Sequence, residues 1–271
     1  MHKAVKITGD QLLEEIKSLI DKARERNLVI RVMGAVAIYY HLRNSGSELC
    51  MKFYNSIGRL QAGEITLTDV DFVSYKKNKN NLEKFFLEMG FKPDEYINAF
   101  FSDKRLTFYH AHSHYTLDVF FTPLEFSHTV DLEGRLELHP YTLSLADLLL
   151  LKLQIHDINR KDLGDTAALL ACFDLSHEEK PSVINIERVV SILSDDWGFW
   201  YDALMNLNKL SNFVESMMKD QPSSMVELAN SVLGKINQLI KVLNEAPKST
   251  RWLKRARIGT KKRWYNVVEE V

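Results

Sequence analysis

No stretch of this sequence is apolar for the roughly 18–20 residues that crossing a bilayer requires. The most apolar run, LSLADLLLLKL, is broken by Asp147 and Lys152. The N-terminus, MHKAVKITGDQLLEE, lacks the apolar core of a secretion signal and turns helix-like and acidic from Asp10 onward. Cysteine is scarce. Cys50 and Cys172 lie far apart and outside any CxxC or Cys/His spacing, so neither a disulfide framework nor a zinc site is expected. Glycine and proline are also few, at 11 and 6 residues in 271, which argues against a collagen-like or low-complexity chain. With 45% hydrophobic and 26% charged residues the composition is that of a folded globular protein. These absences together give the expectation of a soluble, cytoplasmic chain with no membrane partner.

Net charge of either sign is nearly lacking too, at −1, but the balance is uneven. Residues 248–271 hold eight Lys/Arg and two Glu, so this end carries +6 and residues 1–247 carry −7. A basic end on an acidic body raises the question of a polyanionic partner.

The periodicity divides the chain near residue 140. Residues 10–26 place Leu12, Leu13, Ile16, Ile20 and Ala23 on one helical face, with Asp10 as the expected N-cap. LVIRVM (28–33) reads as a strand, followed at once by Gly34 and a helix-like AVAIYYHLR. Residues 44–64 are polar and weakly patterned and read as an insertion or long loop. ITLTDVDFVSY (65–75) reads as a strand, NNLEKFFLEMGF (80–91) as a helix, and KRLTFYHA and YTLDVFF (104–121) as two strands joined by a tight polar turn. RLELH (135–139) reads as one more strand. After Pro140 every segment has helical period. The expected fold is α/β (α+β): a small mixed sheet with helices on one side over residues 1–140, an all-helical domain over 141–247, and a basic tail over 248–271.

Three pieces of the first part carry chemistry. They are a strand–Gly–helix turn at Gly34, an Asp-x-Asp at Asp69 and Asp71, and a lone Asp118 inside an apolar strand. In a strand, Asp69 and Asp71 point to the same side because side-chain direction has period two. Neighbouring carboxylates raise each other's pKa unless a cation lies between them. A divalent ion taking oxygen ligands, Mg²⁺ or Mn²⁺, would relieve all three.

In this order and spacing the motifs resemble those of the DNA polymerase β-type nucleotidyltransferase superfamily. LADLLLLKLQIHDINRKDLGDTAALL (145–170) is similar to the segment that follows the core in its minimal and abortive-infection-toxin branches. The resemblance covers about residues 28–172. It implies that Asp69, Asp71 and Asp118 are catalytic and hold the metal, and that Gly34 and Ala35 bind the nucleotide phosphates at a helix N-terminus. Lys152 would approach the triphosphate, and Thr68, Asp162 and Asp165 would support the site. The implied reaction moves an NMP from an NTP to a hydroxyl of a small molecule, a tRNA or a protein, with release of pyrophosphate. Where the family often has Gly-Ser or Gly-Gly, this chain has Gly34-Ala35. Relative to Gly-Ser, the loss of the hydroxyl removes one phosphate hydrogen bond, worth on the order of 1 kcal/mol. Apart from the resemblance, Lys152 reads as a surface lysine and Asp162 as an N-cap.

Two other classes fit the same residues. One is a nucleotidyltransferase-fold protein that holds a nucleotide without turning it over. The other is a toxin–antitoxin component acting through its C-terminal helices. A homodimer is compatible with the helical remainder. His110, His112 and His114 read as a polar hairpin turn rather than a metal site, and Trp197, Phe199 and Trp200 as core anchors. The tail's eight cations, with Trp252 and Trp264 interleaved, suit an RNA or tRNA contact through residues 248–264. A solvated terminal helix, or a segment folded back onto the acidic body, suits them as well.

Overall fold

The computed structural model describes residues 8–57, 69–110, 115–218 and 221–268. The chain opens with α1 (Gly9–Glu25), which is capped by Thr8 in a reciprocal capping box with Gln11; Asp10 is not the cap but lies in the first turn. The strand β1 (Ile30–Val32) runs directly into α2 (Gly34–Asn44). The weakly patterned stretch that follows is not all loop. Ser47 caps α3 (Glu48–Ser56), which buries Cys50, Phe53 and Tyr54. Next come β2 (Asp69–Tyr75), α4 (Lys79–Glu88), β3 (Phe91–Pro93), α5 (Glu95–Phe101), β4 (Arg105–His110) and β5 (Thr116–Thr122).

These strands form one mixed sheet in the order β1-β2-β5-β4-β3. β2 and β5 are parallel, and every other neighbouring pair is antiparallel. The sheet is two-faced, as the alternation in its strands requires. Val70 and Phe72, Leu117 and Val119, and Leu106 and Phe108 are buried on one side. There the ring of Phe86 from α4 meets Phe72, Phe91 and Phe108. The opposite side carries Asp69, Asp71 and Asp118.

Beyond the sheet, β6 (Leu124–Glu125) and β7 (Thr129–Val130) form a small ladder. The segment RLELH (135–139), expected as a strand, is a run of turns and bends. Its Arg135 turns inward instead, donating to the fully buried Asp147, which also accepts from Arg188. A buried carboxylate needs such partners, and they hold this segment in an irregular path. The helical part follows as α6 (Leu145–Leu153), α7 (Arg160–Cys172), α8 (Ile186–Leu193), α9 (Trp197–Met217) and α10 (Ser223–Glu245). It is not all-helical. Between α7 and α8 a short parallel pair forms from β8 (Asp174–Ser176) and β9 (Val183–Asn185). A last helix, α11 (Thr250–Ala256), lies in the basic segment. Trp197 and Phe199 are buried, as expected of core anchors.

Two further differences from the sequence expectation concern side chains. Cys50 of α3 and Cys172 at the end of α7 are disulfide-bonded across 122 residues, with Cα atoms 5.7 Å apart. No spacing rule could show this, because the pairing depends on α3, which the weak periodicity hid. Of the three histidines, His110 ends β4, while His112 and His114 lie outside the described residues.

Candidate active site

The parallel register of β2 and β5 sets Asp71 directly opposite Asp118 and Asp69 opposite Thr116. The antiparallel register of β4 then sets Thr107 opposite Asp118. Residues paired in this way point to the same face, so three carboxylates and two hydroxyls share one patch of sheet. The Thr107 hydroxyl donates to Asp118 Oδ1, and the Thr116 hydroxyl donates to Asp69 Oδ1 at 2.8 Å.

Burial pushes the Asp71 carboxyl up to about 7, and the charges of Asp118 and Asp69 add to the effect. Lys152 and Arg105 pull in the opposite direction without cancelling it. Burial likewise raises Asp118; the Thr107 hydrogen bond and Arg105 oppose the shift, and Asp69 and Asp94 reinforce it. Burial and mutual repulsion of the carboxylates therefore both disfavour the charged forms of Asp71 and Asp118.

Gly34 stands against this patch. It opens α2 at φ +67°, and a Cβ at that position would be 2.9 Å from Asp71 Oδ2. Both the backbone conformation and the space call for glycine here. The neighbouring backbone is fixed by Met33, whose N–H donates to the Asp71 carbonyl at 2.8 Å. Met33 is also the N-cap of α2 and offers no capping side chain. The first-turn amides, including that of Ala35, thus form an uncapped positive helix end beside the carboxylates.

Lys152 is buried rather than on the surface. Its ammonium lies 2.7 Å from Asp162 Oδ1 and 2.9 Å from Asp165 Oδ2, which ties the end of α6 to the first two turns of α7. Burial works against its charge, but the two carboxylates outweigh this and hold its pKa above the ordinary lysine value. Asp165 also accepts a 3.1 Å hydrogen bond from Tyr54 of α3. Asp162 is not the N-cap of α7. Asn159 is, and its side chain accepts from the Asp162 N–H. Lys152 thus reaches Asp71 through its field while its hydrogen bonds go to Asp162 and Asp165. Thr68 lies outside the described residues.

Sequence reasoning missed Arg105, Thr107 and Thr116. The signal lay in the hairpin. Once Tyr109 pairs with Thr116, the antiparallel register forces Thr107 opposite Asp118 and Arg105 opposite Phe120, on the carboxylate face.

The donor set suits a hard divalent cation. It consists of carboxylate oxygens, with the Asp71 carboxyl raised first by burial and then by its neighbours Asp118 and Asp69. Among the described residues no group of three or more His, Cys, Asp or Glu side chains is gathered closely enough to hold a metal ion by itself. Mg²⁺ does not need one, since it usually keeps several waters and combines one or two carboxylates with substrate phosphates. No protein-family model matches this chain, and no curated protein matches it.

Proposed function

We propose that this protein is a metal-dependent nucleotidyltransferase. In the reaction an acceptor hydroxyl attacks the α-phosphorus of an NTP, a new O–P bond forms, the bond to the β-phosphate oxygen breaks, and pyrophosphate leaves with the negative charge. The hydroxyl proton is lost to solvent. Asp69, Asp71 and Asp118 would hold Mg²⁺ or Mn²⁺, which when bound neutralises triphosphate charge and makes the hydroxyl more acidic. The uncapped first turn of α2 at Gly34-Ala35 supplies backbone N–H groups to phosphate oxygens. Arg105 adds a cation on the carboxylate face, and the Lys152–Asp162–Asp165 bridge positions α6 and α7 behind the site.

The observation that supports this reading best is the cross-strand pair of Asp71 and Asp118 beside an uncapped helix N-terminus. A site that binds a nucleotide without turning it over is the second reading. It is favoured by Ala35 and by the hydrogen bonds that commit Lys152 to Asp162 and Asp165.

The two separate on incubation with NTPs labelled at the α-phosphate, Mg²⁺, and the RNA, protein and small-molecule fractions of a cell extract. Transfer of label to one fraction, lost in Asp71→Asn, supports the transferase. Nucleotide binding with no transferred label supports the second reading.

A further inference from the structure

The basic tail folds back onto the body through aromatic and backbone contacts, with one cation, Arg251, ion-paired to Asp195 and Asp196. Trp264 Nε1 donates to the buried Asp202 at 2.8 Å, and Tyr265 stacks on His156 with ring centroids 3.4 Å apart. The Asn266 N–H donates to the Ser127 carbonyl at 2.9 Å. At the other end of the segment the Ser249 N–H donates to the Ser194 carbonyl at 3.0 Å. Contact with α9 is so close that a Cβ on Gly198 would lie 2.5 Å from the Trp264 carbonyl oxygen. Residues 249–266 are therefore an arch fastened at both ends.

The cations of this arch are left over. Of the eight Lys/Arg between 248 and 264, Arg251 alone forms an ion pair among the described residues, with Asp195 and Asp196. Lys248 and Arg255 donate to backbone carbonyls. Lys254, Arg257, Lys261, Lys262 and Arg263 are exposed and have no carboxylate partner among the described residues. Between the arch and the start of α9 lies an open cleft of about 720 Å³, lined by the cations Arg251, Lys254, Arg255 and Arg263, by Asp195 and Asp196, and by Trp197 and Trp264.

We propose that this cleft binds the phosphate backbone of single-stranded nucleic acid. Arg251 is offset by Asp195 and Asp196, which leaves Lys254, Arg255 and Arg263 without a carboxylate partner among the described residues. Cations spread around a concavity track a polyanionic strand, whereas a membrane surface is flat and would leave the concavity unfilled. The aromatic residues expected to stack on bases are engaged elsewhere. Trp252 packs edge-on against Trp200, and Trp264 against Trp197 and Tyr201. The cleft therefore reads phosphates rather than bases, and binding is independent of sequence. This inference does not rest on transfer chemistry at the carboxylates.

The test is fluorescence anisotropy with labelled oligo(U) and oligo(dT) over a salt series, on wild type and on a Lys254→Ala/Arg263→Ala variant whose substitutions are at the surface. Three engaged phosphates predict a roughly 20-fold loss of affinity between 50 and 200 mM salt, and about a 3-fold loss once two cations are removed. Equal salt slopes for the two proteins would overturn the proposal. So would tight binding to phosphatidylserine vesicles with no oligonucleotide binding. A difference between the oligo(U) and oligo(dT) arms, with the slopes as predicted, assigns the strand to RNA or DNA.

Discussion

At the scale of single residues, Asp71 and Gly34 define the site. An ordinary Asp ionises near 3.8, but in the folded chain Asp71 does so at about 7. Between these values the native state holds a proton that the unfolded chain has released, so this residue's contribution to stability falls as pH rises through the window. Asp71→Asn removes the penalty. The variant is expected to match wild type in urea denaturation at about pH 4 and to exceed it by about 1–3 kcal/mol at about pH 8, while losing function. Equal stability at both pH values would show that Asp71 titrates normally. Gly34→Ala meets two obstacles, a positive φ and Asp71 Oδ2 at 2.9 Å. It is expected to destabilise the fold by about 1–3 kcal/mol and to abolish any nucleotide-dependent stabilisation. A matched Ala35→Ser substitution, in an ordinary helical position beside it, is expected to preserve the fold and to strengthen the nucleotide-dependent stabilisation.

At the scale of elements, α3 carries more than its sequence suggests. It bonds α7 through Cys50–Cys172 and hydrogen-bonds Asp165 through Tyr54, so it fixes the helix that supports Lys152. Cys172→Ser is expected to lower unfolding free energy by about 2–4 kcal/mol, and reductant is expected to lower wild type to the same level. A reductant-insensitive denaturation curve would show that the pair does not bridge α3 and α7 in solution.

Elements with strong period were legible in the sequence: β1, β2, β4 and β5, and the long helices after residue 144, where apolar faces repeat over many turns. The segments that misled are those set by distant partners. Cys50, Phe53 and Tyr54 give α3 an apolar face too short to show as a pattern. Arg135 draws RLELH inward to Asp147 instead of into a sheet. The Asp69-x-Asp71 motif showed which residues share a face. It could not show that Thr107 and Thr116 complete that face, because strand register is settled by pairing rather than by spacing.

At the scale of the whole molecule, the sheet and the helices share one continuous core, with Phe72 and Val119 in the same buried cluster as Leu149, Leu169 and Phe199. Among the described residues no helix is long and apolar enough to cross a membrane. The strand part supplies the carboxylates Asp69, Asp71 and Asp118, and the helical part supplies the Lys152 field and the fastened basic arch. The two act separately: a metal–triphosphate complex would draw on the carboxylates, and a polyanionic strand on the arch.

The measurement that tests the central claim most directly is thermal unfolding with each NTP, with and without Mg²⁺ or Mn²⁺, on wild type and on an Asp69→Ala/Asp71→Ala variant. A ligand that binds the native state alone raises the midpoint by mass action, by about 2.7 kcal/mol in free energy at a hundredfold excess over Kd. The expected result is a midpoint rise that requires both NTP and metal and is absent in the variant. No rise with any nucleotide at saturation, or an equal rise in the variant, would contradict the assignment of the triphosphate to these carboxylates.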